Sequence, residues 1–206
     1  MRSNKHRKVK TRFKFTKPLA FLISFIVVIA ILTGLLSIES KEEKLYNRIT
    51  NAQSALDGFS GKSLDEDNVF ADISYKKLTK KIKSSDYTYV YYGTLTNSEF
   101  FTYIETVNER AQTYEVKKVY LLDGTWASQI DTEDEDYGEE NNNVLTEVEN
   151  AIGGVDMTVL PSLWIYKNGE VVFDSNDYIN DTYQKGTWNY VIEQAFGHFP
   201  GPDFEN

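Results

Sequence analysis

From Leu19 to Leu36 the chain carries eighteen successive uncharged residues, rich in Ile, Leu, Val and Phe. As a helix rising about 1.5 Å per residue this run crosses most of a ~30 Å hydrocarbon core. Beyond it, apolar residues recur every three or four positions in some stretches and cluster in short β-prone runs in others. Leu45, Ile49, Ala52 and Leu56 predict a juxtamembrane helix or stalk over Glu39 to Leu56, followed by a Gly-, Ser- and Asp-rich linker from Asp57 to Asp67. Val69 to Ile73 reads as a short strand and Ser74 to Ile82 as a short basic helix with Leu78 and Ile82 inward. Tyr87 to Tyr92, YTYVYY, is a β-branched and aromatic run suited to a buried central strand. Phe100, Ile104, Val107, Ala111 and Tyr114 trace one face of a helix, and Val116 to Leu122 forms the next strand, ending at Asp123-Gly124. Val144, Leu145, Val148, Ala151 and Ile152 define a helix stopped by Gly153-Gly154. Trp188, Val191, Ile192, Ala195 and Phe196 define a last helix, ended by Gly197 and Pro200.

Between those two helices lies the strongest local signal. Leu163 to Tyr166 and Glu170 to Phe173 are β-prone runs joined by Lys167-Asn168-Gly169, and Asn-Gly is favoured in primed hairpin turns because both central residues there need φ > 0. Pro161 enters the hairpin; an X-Pro bond adopts cis at little cost, and the sequence leaves the isomer of Leu160-Pro161 open.

Charge separates the chain into two populations. Residues 1–17 hold eight Lys or Arg and no acid, while the remaining 14 basic residues face 31 acidic ones, a net −17 against −9 for the whole. A basic flank beside an apolar run stays cytoplasmic under the positive-inside rule, which places the C-terminal body outside the cell. The expected organisation is a basic cytoplasmic tail (1–17), a transmembrane helix (18–38), a juxtamembrane helix and linker (39–67), an α/β domain (68–198) and a C-terminal tail (199–206). A cleaved signal peptide is the alternative, disfavoured because its apolar region is shorter and its exit Ala-x-Ala-like, where this chain has Ser37-Ile38-Glu39-Ser40. Topology accounts for the basic tail without nucleic acid.

Several chemistries lack parts. With no cysteine there are no disulfides, thiolates or Cys-ligated metals. The two histidines, His6 and His198, stand at the chain's ends, so a His-based triad or His-rich metal site has no material. Gly61-Lys62-Ser63 resembles the end of a phosphate-binding loop, but Leu56 stands where that motif needs glycine. Asp131 to Asn143, with seven carboxylates, reads as a solvated loop and lacks the spacing of a calcium-binding EF-hand. Its carboxylates have no fixed separation for glycosidase work. Asn180-Asp181-Thr182 is a lone glycosylation sequon, taken as chance. No enzyme activity, cofactor or metal is expected. Thr96-Asn97-Ser98-Glu99 is a capping box, in which the Thr96 hydroxyl and Glu99 carboxylate satisfy backbone donors at the helix start.

The element order, strand, helix, strand, helix, strand, strand, helix, resembles the thioredoxin-like superfamily over Val69 to Phe196. Three places carry the resemblance: the strand-to-helix turn at Gly93 to Phe100, the proline in Leu160-Pro161-Ser162, and Tyr166-Lys167-Asn168-Gly169-Glu170-Val171-Val172, which is similar to the thioredoxin FKNGE hairpin. Tyr91-Tyr92-Gly93 is most similar to membrane-attached bacteriocin transport accessory proteins of Gram-positive bacteria. The resemblance implies a three-layer α/β/α domain. It also implies a departure, because redox members carry Cys-x-x-Cys where this chain has Asn97-Ser98-Glu99-Phe100. No thiolate forms there. The acidic segment becomes a surface insertion.

In active members the groove beside the proline binds extended polypeptide. By resemblance Thr96, Asn97, Ser98 and Glu99, with Thr158 to Ser162 and above all Leu160 and Pro161, would line a peptide site. A purely structural role, capping a helix and turning a corner, explains the same residue types. The expected function is a membrane-anchored, extracellular thioredoxin-like module without thiol chemistry that binds a secreted peptide or a membrane protein. A structural subunit of a membrane or cell-surface assembly, its acidic loop meeting a basic partner, stays open beside it.

Overall fold

A computed structural model describes residues 39–59, 61–127, 138–178 and 187–204. The elements are α1 (Lys41–Ser54), β1 (Phe70–Asp72), α2 (Tyr75–Lys81), β2 (Thr88–Gly93), α3 (Ser98–Thr113), β3 (Val119–Asp123), α4 (Gly138–Ala151), β4 (Ser162–Lys167), β5 (Glu170–Asp174), a 3₁₀ turn at Ser175–Asp177 and α5 (Thr187–His198). They form an α/β arrangement around one mixed five-stranded sheet of order β1-β3-β2-β4-β5. β1, β3 and β2 run parallel, and β4 and β5 are antiparallel additions.

The sheet is central because its inner strands β2 and β4 have no polar face to offer water. β2, TYVYYG, is buried along its whole length. Its side chains alternate: Tyr89 and Tyr91 enter one core with Phe100, Ile104 and Val107 of α3 and Ile192 and Phe196 of α5. Val90 and Tyr92 enter the opposite core with Leu78 of α2, Val148 of α4 and Ile152 just after it. Leu163 and Ile165 against Trp164 and Tyr166 repeat the alternation on β4. The layers are therefore helix, sheet, helix.

The β4–β5 turn has the backbone that Asn-Gly anticipates, with φ 55° at Asn168 and 89° at Gly169. It is also tied to the chain after α2, since Asn168 N–H donates to the Ser84 carbonyl and Gly169 N–H to that of Ile82, both at 2.8 Å. β3 starts three residues later than the apolar run suggests, and α5 includes Gly197.

Three expectations are revised. First, α1 is no stalk. Leu45 and Ile49, with Leu64 from the expected linker, are buried in the same core as β2 and α3, and the compact unit runs from Ser40 to Asn206. Second, the C-terminal residues are docked: Gly201 N–H donates to the Tyr114 carbonyl at 2.8 Å, and the Tyr89 hydroxyl lies 2.9 Å and 3.0 Å from the carbonyls of Phe199 and Pro200. Third, α4 begins at Gly138, so the last six residues of the expected acidic loop are helical. The transmembrane run, the rest of the acidic segment (131–137) and the sequon fall outside the described residues. Among the described residues no helix is long and apolar enough to cross a membrane.

Candidate functional site

β2 ends at Gly93, where a Cβ would sit 2.3 Å from the Phe100 ring. Only glycine lets the first turn of α3 pack this close to the strand it follows. The chain then turns, with Asn97 N–H donating to the Thr94 carbonyl at 3.1 Å, and α3 starts at Ser98.

The cap differs from the expected box. Asn97 is the N-cap, and its side-chain oxygen accepts the Glu99 N–H at 2.7 Å. The Thr96 hydroxyl instead meets that of Thr94 at 3.4 Å. Moving the cap one residue along puts Glu99 at the second helical position, where its carboxylate cannot reach back to the cap backbone. An Asx cap wins because the short Asn side chain reaches the second helical N–H directly. Thr96, Ser98 and Glu99 are thereby left exposed, with the Glu99 carboxylate free at a helix start that favours negative charge.

Two adjacent tyrosines hold the surroundings. Tyr91 stacks on Phe100 with ring centroids 4.9 Å apart and donates to the Phe100 carbonyl at 2.8 Å, pinning α3 from one side of the sheet. Tyr92 points the other way, stacks on Trp164 at 4.9 Å and donates to the Met157 carbonyl at 3.0 Å, pinning the loop before β4. Burial pushes both phenols well above their ordinary value of 10, so both stay protonated donors.

That loop is built from short-range bonds. Glu149 accepts the Met157 N–H at 2.9 Å, and Asp156 accepts the Thr158 N–H at 2.8 Å and its hydroxyl at 2.6 Å. Leu160-Pro161 is a cis bond. Ser162 then donates to the Val159 carbonyl at 2.7 Å, and Leu163 N–H donates to Ser175 Oγ at 2.9 Å. Pro161 is buried, Leu160 half-buried, and Thr158 and Val159 are exposed.

The β2–β4 register brings the two segments together. Tyr92 pairs with Ser162, so one residue further Gly93 stands opposite Pro161. All six expected residues, Thr96, Asn97, Ser98, Glu99, Leu160 and Pro161, thus border one end of the sheet, although the Asn97 side chain is occupied as a cap and Pro161 is covered. A third segment was not anticipated. Gly93 also pairs with Asp123, and Gly124 N–H donates to the Gly93 carbonyl at 2.8 Å. Asp123 is turned inward on its own loop, accepting from Thr125 N–H at 2.9 Å and its hydroxyl at 2.5 Å. The Asp-Gly that closes the strand was the available signal, because the carboxyl ends of parallel strands are where α/β sheets gather ligand groups.

The assembled groups are hydroxyls, the exposed Glu99 carboxylate, the carboxylates of Asp123 and Asp156, each bonded to the threonine two residues on, and exposed backbone. Among the described residues no three His, Cys, Asp or Glu are placed to hold a metal ion. This arrangement can hydrogen-bond a polar or polypeptide ligand. No protein-family model matches the chain, and no curated protein matches it.

Proposed function

We propose that the chain is a membrane-anchored, extracellular thioredoxin-like module without thiol redox activity, similar in role to bacteriocin accessory proteins, that binds a secreted peptide or protein partner. One observation carries the reading. Exposed Thr96, Ser98 and Glu99 and exposed Thr158 and Val159 border the same sheet end, held by Tyr91 and Tyr92, in a chain that has no cysteine there or elsewhere. The thioredoxin-like assignment is supported by the strand order, the two helical layers and the proline leading into β4. The anchor and the extracellular location rest on the uncharged Leu19 to Leu36 run and the basic residues before it.

The test is site-specific photocrosslinking in the native membrane, with a benzophenone side chain at Ser98, at Val159 or, as control, at exposed Lys83. The same secreted polypeptide captured from 98 and 159 and absent from 83 is the expected result. Capture from all three positions alike, or from none, ends the reading.

A further inference from the structure

The acidic body of this protein carries a locally basic edge. Of the 14 Lys and Arg beyond residue 17, Lys41, Lys44 and Arg48 lie on α1, Lys76, Lys77, Lys80 and Lys81 on α2, and Lys117 and Lys118 just before β3. All of these but Lys76 and Lys117 line hollows beside β1, with the acids Glu42 and Asp72 among them, and β1 pairs with β3 on one side and ends the sheet on the other. A groove of about 600 Å³ runs there, walled by α1, by all of β1, by Lys77 and by Lys118 with Tyr120. A second hollow of about 440 Å³ shares Asp72, Lys77 and Tyr120 with it and adds Lys80 and Lys81. Arg48 is paired with Asp72 at 2.7 Å, whereas Lys41, Lys44, Lys77 and Lys118 have no carboxylate within salt-bridge distance among the described residues.

The backbone of β1 supplies the second feature. Val69 accepts from Val119 N–H and Ile73 N–H donates to Leu121, so the alternation of a parallel pair directs the peptide groups of Phe70 and Asp72 away from β3. The Phe70 N–H is taken by Asn68 at 3.1 Å. Phe70 itself is buried, so what the edge exposes is Asp72, whose two backbone groups point outward as a short ladder for an added strand. The ladder is short, so backbone pairing alone holds little. The lysines decide which strand it accepts: they repel a basic strand, gain nothing from a neutral one and match a strand that carries carboxylates.

We propose that the β1 edge is a docking groove for an acidic, extended polypeptide segment, which adds beside β1 with its carboxylates on Lys41, Lys44, Lys77 and Lys118. The groove lies at the sheet edge, away from the β2–β4 end, so it stands or falls independently of the peptide surface at Thr96 and Pro161.

The experiment is a fluorescence-anisotropy titration of the full-length protein, in detergent at physiological salt, with a labelled peptide alternating Glu and Val. Controls are a Glu-Pro peptide of equal charge, which cannot donate to a ladder, and vesicles containing phosphatidylglycerol. Lys77→Glu with Lys118→Glu is expected to weaken binding of the Glu-Val peptide by roughly tenfold or more. Lys8→Glu with Lys10→Glu in the tail, an equal change of net charge, is expected to change it less than about twofold. Asp72→Pro removes an outward N–H and is expected to weaken binding where Asp72→Ala does not, with circular dichroism checking both folds. Equal loss in the groove and tail pairs overturns the proposal, as does equal binding of the Glu-Pro peptide. So does a groove pair that loses vesicle binding while keeping the peptide, which identifies the edge as a lipid-facing surface.

Discussion

Glu105 shows how far a single residue can depart from its type. It sits on α3 with its side chain 5% exposed, accepts the Asp65 N–H at 3.3 Å, lies 4.0 Å from Lys62 Nζ, and leaves Oε1 without a hydrogen-bond partner. Burial is the largest influence and raises its pKa above the ordinary 4.5, outweighing the Asp65 N–H and Lys62, which lower it. The folded protein therefore holds this proton more tightly than the unfolded chain, so stability falls as pH rises from 4.5 through the raised value. Glu105→Gln keeps an acceptor for Asp65 and removes the buried charge. Thermal melts should find the variant more stable by about 1 kcal/mol at pH 7, with the gap closing towards pH 4. A gap constant across that range would show that Glu105 does not titrate as described.

At the level of elements, helix ends and helix faces behaved differently. The apolar faces of α3 and α5 were legible because buried residues recur with the helical period: Phe100, Ile104, Val107 and Ala111 on one, Val191, Ile192, Ala195 and Phe196 on the other. The α3 cap was misplaced by one residue because Thr96 and Asn97 are both good cap residues, and their choice depends on where the strand lets the chain turn. Asn97→Ala should cost about 1 kcal/mol in chemical denaturation, and Thr96→Ala only a few tenths. The reverse order would restore the capping box. For α1, Ser40 does form a capping box with Glu43, and its buried Ile49 makes the helix part of the core. Ile49→Ala is expected to lower the single unfolding transition by about 2 to 4 kcal/mol. A stalk independent of the sheet would leave that transition where it was.

Across the whole molecule, the distant contacts are the ones that pattern does not announce. Gly201 packs so closely on the chain after α3 that a Cβ would meet the Glu115 carbonyl oxygen at 2.0 Å. Gly201→Ala should therefore cost about 1 to 3 kcal/mol and expose Tyr89, read by tyrosine fluorescence and a lowered melting temperature, whereas a free tail would tolerate it. The sequence by itself determined the α/β class, the hairpin at Asn168-Gly169, the helical faces and the absence of thiol chemistry. Each follows from local periodicity, turn stereochemistry or residue inventory, which need no partner far along the chain. Only the tertiary structure decided the strand order, the cis bond at Pro161, the inclusion of α1 and the C-terminal residues, the meeting of Gly93 with Pro161 and Asp123, and the gathering of lysines around β1. Each of these depends on which strand pairs with which and on what then covers the sheet, and neither is written in the local spacing of residues.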